Sequence, residues 1–159
     1  MNPNQSQLLA DVDISIIKIR GVYAQWAREN HVNYHELLVL NTLRVFGPCT
    51  QKQICEQYLV PKQTIFNIVS DLRKAGYIVS RNAPGDLREK VIELTASGLD
   101  YAQRLLEPML RVEGLVVKKM GSKSLRLITE LAHQYVEAIE EALCESEKNN
   151  KEGNQYAKE

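Results

Sequence analysis

The chain has 159 residues, 44% of them hydrophobic and 25% charged, and its 20 basic and 20 acidic side chains cancel to a formal net charge of zero. This is the composition of an ordinary globular protein, which excludes a disordered chain, and no apolar run approaches the ~18 residues of a membrane span. The opening MNPNQSQLLADVD lacks the basic and apolar regions of a signal peptide, so a cytoplasmic protein is expected.

The first predicted element is a long helix. Leu9, Val12, Ile16, Ile19, Tyr23 and Trp26 follow one another at steps of 3, 4, 3, 4 and 3, the narrow seam of helix-to-helix packing. Such a seam must be covered, either by the chain itself or by a second copy. A second helix is predicted from Asn33 as N-cap, with Glu36 three residues on, to about Phe46. Leu37, Leu40, Leu43 and Arg44 form its inner face, and GPCT ends it. A short third helix starts at Thr50, with Ile54, Tyr58 and Leu59 predicted to point inward. The fourth covers PKQTIFNIVSDLRKAG, where Ile65, Ile68, Val69 and Leu72 fall on one stripe, Pro61 suits the first turn and Gly76 the stop.

After Gly76 the period drops towards two. YIVSR and EKVIEL read as strands joined by NAPGD, a hairpin. Thr95 then caps a long helix reaching past Met109, which Pro108 is expected to kink or split. GSKS breaks the pattern, and Leu125, Ile128, Leu131, Tyr135 and Ile139 carry a last amphipathic helix. The final ESEKNNKEGNQYAKE is polar and is predicted to fray. No internal repeat is visible.

The fold class that follows is mainly α with a small β-hairpin wing. Two short helices, a tight connection and a hairpin describe a winged helix-turn-helix, whose second helix enters the major groove of double-stranded DNA. The leading end of that helix carries Lys62, Gln63, Thr64 and Asn67. Gln and Asn pair bidentately with adenine, Lys meets guanine, and the Thr methyl touches a thymine methyl. Ser70, Arg73 and Lys74 suit phosphates, and Lys52 and Arg81 join the candidate DNA contacts. The net charge of zero argues against nucleic acid, but it is unevenly spread. Residues 50–95 hold seven Lys/Arg against five Asp/Glu, and residues 137–159 hold three Lys against seven Glu.

The hairpin tip is more specific. Pro84-Gly85 suits a tight turn, and Asp86 and Arg88, two apart in an extended segment, share one side. An exposed ion pair there contributes only ~0–1 kcal/mol to stability. A steadied guanidinium at a hairpin tip fits a narrow minor groove instead, with Lys90 following the backbone.

The stretch DLREKVIELTASG resembles the wing signature of MarR-type (multiple antibiotic resistance regulator) transcription factors. The signature runs Asp-x-Arg, a strand, then Leu-Thr-x-x-Gly, here Asp86, Arg88, Leu94, Thr95 and Gly98. SDLRKAGYI resembles the close of that family's recognition helix at Leu72, Gly76 and Ile78. The helix order matches over roughly residues 8–145. One departure is Pro61, standing where the family often has a Ser or Thr cap.

The resemblance implies a homodimer built by the first and last helices, in agreement with their apolar rows. It implies residues 1–32 and 96–145 as dimerisation helices, 33–95 as the DNA-binding domain, and 146–159 as a flexible acidic tail. It also implies a repressor answering to a small, often aromatic, effector, with Arg20, Tyr23, Trp26 and His31 as candidate lining residues; ordinary interface core is the alternative for Tyr23 and Trp26. No cofactor is implied. The N-terminal cysteine of oxidant-sensing relatives has no counterpart.

The cysteines, Cys49, Cys55 and Cys144, form no CxxC pair and read as reduced thiols; Cys49 and Cys55, which flank the third helix, are expected to be inert, the alternative being that their modification perturbs DNA binding. His31, His35 and His133 make no metal motif. Nucleophile elbow, phosphate loop and dinucleotide fingerprint are all missing from the sequence, so an enzyme is not expected. The competing function is a winged-helix protein-interaction module without specific DNA binding.

Overall fold

In the computed structural model the elements run α1 (Pro3–Glu29), α2 (Tyr34–Phe46), β1 (Cys49–Thr50), α3 (Gln51–Tyr58), α4 (Lys62–Lys74), β2 (Ile78–Ala83), β3 (Asp86–Leu94) and α5 (Ala96–Tyr156). The structure describes the backbone of residues 2–83 and 86–156, and side chains over residues 2–82 and 90–148. The chain forms two compact units, Met1–Pro108 and Met109–Glu159.

Local signals set most boundaries in the first unit. Asn2 and Gln5 form a capping box at the start of α1, with Pro3 at its first position. The Asn33 carboxamide oxygen accepts from the amides of His35 and Glu36 to begin α2, and Gly47, at φ 80, ends it. Thr50 and Gln53 cap α3 reciprocally. Pro61 opens α4 without a side-chain cap, and Gly76, at φ 78, lets the chain leave it.

The predicted stripe of α4 is the centre of this unit's core. Ile65, Ile68, Val69 and Leu72 are buried, together with Leu37, Val39, Leu40 and Leu43 of α2, Ile54 of α3, and Ile78 and Ile92 of the sheet. Each such side chain contributes about 1.5–3 kcal/mol by leaving water. Thr42, buried among them, bonds the Leu38 carbonyl and lies 2.9 Å from the Tyr58 hydroxyl. Three strands form one antiparallel sheet in the order β1-β3-β2, with Ile78 opposite Leu94 and Cys49 opposite Ile92.

Three features depart from the sequence reading. Leu59, expected inward, is 89% exposed, because it takes the left-handed conformation (φ 50, ψ 42) that turns the chain out of α3; Val60 enters the core in its place. The two-residue β1 is an addition. It is too short to show an alternating pattern and exists through its pairing with β3.

The third departure concerns α5. Its backbone stays helical through Pro108 and leaves helical geometry at Gly121 (φ 75, ψ 154), inside the GSKS break. Helical backbone also continues to Tyr156 through the stretch expected to fray. Glu, Lys and Gln there are good helix formers even without an apolar face.

Helix α1 exposes apolar groups on two opposite sides. One is the predicted seam, where Leu9, Ile16 and Ile19 are exposed; the other is Ala10, Ile14, Ile17 and Gly21, at steps of 4, 3 and 4, continued by the half-buried Ala24. In the second unit Leu115, Val116, Val117 and Met120 are exposed before Gly121, and Ile128, Leu131 and Ile139 after it. No helix of the described residues is long and apolar enough to cross a membrane.

Candidate nucleic-acid interface

With one stripe of α4 in the core, the residues between those positions point out. Lys62, Gln63, Asn67 and Arg73 are exposed, and Thr64 and Ser70 are half-buried. The Gln63 carboxamide donates from Nε2 to Oδ1 of Asn67 at 2.8 Å. This bond relates the two amides to each other, the Gln63 carboxamide as donor and the Asn67 carbonyl as acceptor, and has no use for the Gln63 carbonyl or the Asn67 NH2. Lys62 and Arg73 bracket the pair with positive charge. Lys74, read as a phosphate contact, is held 3.1 Å from Asp71 on the same helix.

Other candidate contacts are less free than the sequence suggests. Lys52 pairs with Glu56 one turn along α3, at 3.7 Å and well exposed. Arg81 on β2 pairs with Glu93 on β3. Neither pairing consumes much energy in water, so both cations remain available to a phosphate that outcompetes the carboxylate. Lys90 is exposed on β3 opposite Asn82. Asp86 and Arg88 lie in β3, but their side chains, and Pro84-Gly85 entirely, fall outside the described residues. The expected Asp86–Arg88 pairing falls there with them.

The base of the wing is fastened to α5 by a small polar cluster. Thr95 accepts from the Gly98 amide at 3.0 Å, the N-cap bond of α5, and donates to the Gly76 carbonyl at 2.7 Å. Ser97 reaches the same carbonyl at 3.2 Å, and the Thr95 amide donates to the Tyr77 carbonyl at 3.0 Å. Gly98 lies against that peptide so closely that a Cβ there would overlap the Tyr77 carbonyl oxygen and stand 2.8 Å from its carbon. The Leu-Thr-x-x-Gly run therefore joins the end of α4, the start of β2 and the start of α5 at one point.

The four candidate effector residues follow one another along and just past α1. Arg20 is exposed, Tyr23 and Trp26 are half-buried, and His31 is exposed in the turn beyond the helix at φ 56. The structure adds Tyr34 to Arg20: burial pushes the Tyr34 phenol up, and the Arg20 charge partly opposes that rise. A cleft of about 250 Å³ in this unit is lined by other residues, among them Asn33, Glu36, Asp71, Tyr77 and Tyr101. There Tyr77 stacks on Tyr101 at 4.2 Å, and the Tyr101 hydroxyl donates to the Glu36 carboxylate at 2.7 Å.

Burial raises the Cys49 thiol pKa and so holds it in the unreactive form, Cys55 is buried, and Cys144 is exposed. Among the described residues no three His, Cys, Asp or Glu side chains come together as a metal site.

Residues 32–89, from the start of α2 into the wing, match the family model described as MarR family. Over that stretch the winged helix resembles those of the MarR family. The solved structure of NMB1585, a MarR family regulator from Neisseria meningitidis, is 28% identical, covers 92% of this chain and 99% of its own, and superposes with a TM-score of 0.77. The transcriptional repressor NicR of Pseudomonas putida is 23% identical over 122 residues, 77% of each chain. NadR, solved in complex with 4-hydroxyphenylacetate, shares the fold at a TM-score of 0.68 and 17% identity, over 78% of this chain and 91% of its own. NMB1585 is described as a regulator and NicR as a transcriptional repressor.

Proposed function

We propose that this MarR-type regulator is a homodimeric repressor that binds a near-palindromic operator in double-stranded DNA and releases it when a small-molecule effector binds. The observation that carries the reading is the outward face of α4, where the mutually bonded Gln63 and Asn67 stand between Lys62 and Arg73. Amides bonded to each other suit base edges, and flanking cations suit phosphates. Lys62, Gln63, Thr64 and Asn67 read the major groove; Ser70, Arg73, Lys52 and Arg81 hold the backbone. Arg88, steadied by Asp86, enters the minor groove, and Lys90 follows the strand.

The homodimer rests on the exposed apolar rows. Helix α1 offers them on two opposite sides, and the helices of the second unit offer more. A helix apolar on both sides needs cover on both sides. A second copy supplies it with the same surface, and places two α4 helices about one DNA turn (~10 bp) apart or a multiple of it. Residues 1–32 and 96–145 then serve dimerisation, 33–95 DNA binding, and 146–159 remains an acidic tail. That NicR is called a repressor, and that NadR was solved with an aromatic acid, support repression and an aromatic effector here. Arg20, Tyr23, Trp26 and His31 are the proposed lining, and no cofactor is required.

Selection of bound duplexes from a random pool, followed by titration at rising salt, tests the reading. A symmetric consensus and a steep loss of affinity with salt are expected. Arg88→Ala should weaken the selected duplex about tenfold and random DNA far less. Equal losses on both would reduce Arg88 to a phosphate contact. Recovery of no consensus would favour the protein-interaction alternative, and a monomer in sedimentation would remove the two-fold operator.

A further inference from the structure

The outward face of α4 contains one residue that neither the core nor the polar contacts explain. Phe66 is 53% exposed, while the four residues of the inner stripe are buried without it. It stands one turn from Lys62 and one turn from Ser70, in the row Gln63, Phe66, Asn67 and Ser70 at i, i+3, i+4 and i+7. Its neighbours on that face are therefore a bonded pair of amides, a hydroxyl and two cations, a setting suited to polar ligands in which an aromatic ring is out of place.

Single exposed apolar residues are common on protein surfaces. The location is what separates this one. The row is the surface that the winged helix turns to the major groove, and there each base pair offers polar edges except at one point, the C5-methyl of thymine. An apolar ring set among hydrogen-bonding side chains complements that arrangement: the amides take base edges, the cations take phosphates, and the ring takes a methyl.

We infer that Phe66 is a specificity-determining residue that contacts the C5-methyl of a thymine in each half-site. The inference rests on the proposed reading of DNA by α4. The ring adds a preference for thymine over cytosine at a position where no hydrogen bond need be made. Because the contact is dispersive and shape-dependent, Leu should preserve part of it and Ala none.

The test replaces each thymine of the selected duplex by deoxyuridine, which removes the methyl and leaves the hydrogen-bonding edge unchanged. The native protein should lose about fourfold in affinity per half-site at one thymine, as for burial of a single methyl-sized group. Phe66→Ala should bind the unmodified duplex more weakly and be insensitive to deoxyuridine there, with Phe66→Leu between the two. Phe66→Ala retaining the full sensitivity would assign the methyl to another side chain, and a native protein sensitive at no thymine would refute the contact. In both cases the duplex is still bound, whereas failure to select any duplex would be failure of the DNA-binding reading itself. Circular dichroism of the variants, expected to match the native spectrum, excludes loss of fold as the cause.

Discussion

Replacing Gly98 with alanine places a methyl group against the backbone of Tyr77. The new Cβ overlaps the Tyr77 carbonyl oxygen and lies 2.8 Å from the carbonyl carbon and 3.1 Å from Cα. A flexible side chain could swing away, but this peptide is held by the Thr95 amide at 3.0 Å and by the stacking of Tyr77 on Tyr101. Either α5 or β2 must shift. Such overpacking costs about 1–3 kcal/mol, and straining the Thr95–Tyr77 hydrogen bond adds about 1 kcal/mol. Alanine's better helix propensity returns about 1 kcal/mol, which leaves a net loss of about 2 kcal/mol. For a chain of this size that is a fall of roughly 4–8 °C in melting temperature. Thermal unfolding followed by circular dichroism, at fixed protomer concentration, measures it. The same change at Gly114, where nothing lies within 4 Å of an added Cβ, should instead stabilise by about 0.5–1 kcal/mol. Gly98→Ala melting at or above the native temperature would refute the close approach.

Two further perturbations probe local conformation and charge. Leu59→Gly relieves a left-handed residue whose side chain is 89% exposed; a gain of about 0.5–1 kcal/mol is expected from the denaturant midpoint, and a loss would show that the leucine packs. Tyr101→Phe removes the hydroxyl that donates to Glu36, at a cost of about 1 kcal/mol at neutral pH. Burial, followed by that hydrogen bond, pushes the Tyr101 phenol from 10.0 up to about 12. The folded state thus favours the protonated form. Its contribution is complete below pH 10.0 and is lost as pH rises through about 12. The difference in stability between native and variant should shrink over that window, and a constant difference would remove the linkage.

Much of this architecture was legible in the residues. The α4 stripe, the Asn33, Thr50 and Thr95 caps and the Gly76 stop are local signals, and the structure follows them. The Gln63–Asn67 and Lys52–Glu56 partnerships stand at helical spacing and could have been read from it. What escaped was set at a distance or by a turn. The Arg81–Glu93 pair depends on strand register, and the role of Gly98 depends on a residue 21 positions earlier. The break expected at GSKS is present at Gly121, where glycine takes positive φ freely, but the kink expected at Pro108 is not, the backbone there staying helical. Phe66 carries no local signal of its own, since a single aromatic between polar residues changes neither the apolar stripe nor the helix boundaries.

The short β1 has a consequence for how the molecule meets its own kind. Central β3 has partners on both sides, leaving β2 as the outer strand opposite β1. That strand carries Arg81 and a register shift between Asn82 and Ala83, both of which discourage an incoming strand. The sheet is thereby a poor template for edge-to-edge growth, and concentrated solutions of the protein should resist cross-β aggregation. The exposed apolar rows lie instead on the helices, so the proposed pairing with a second copy leaves the strand edge unused.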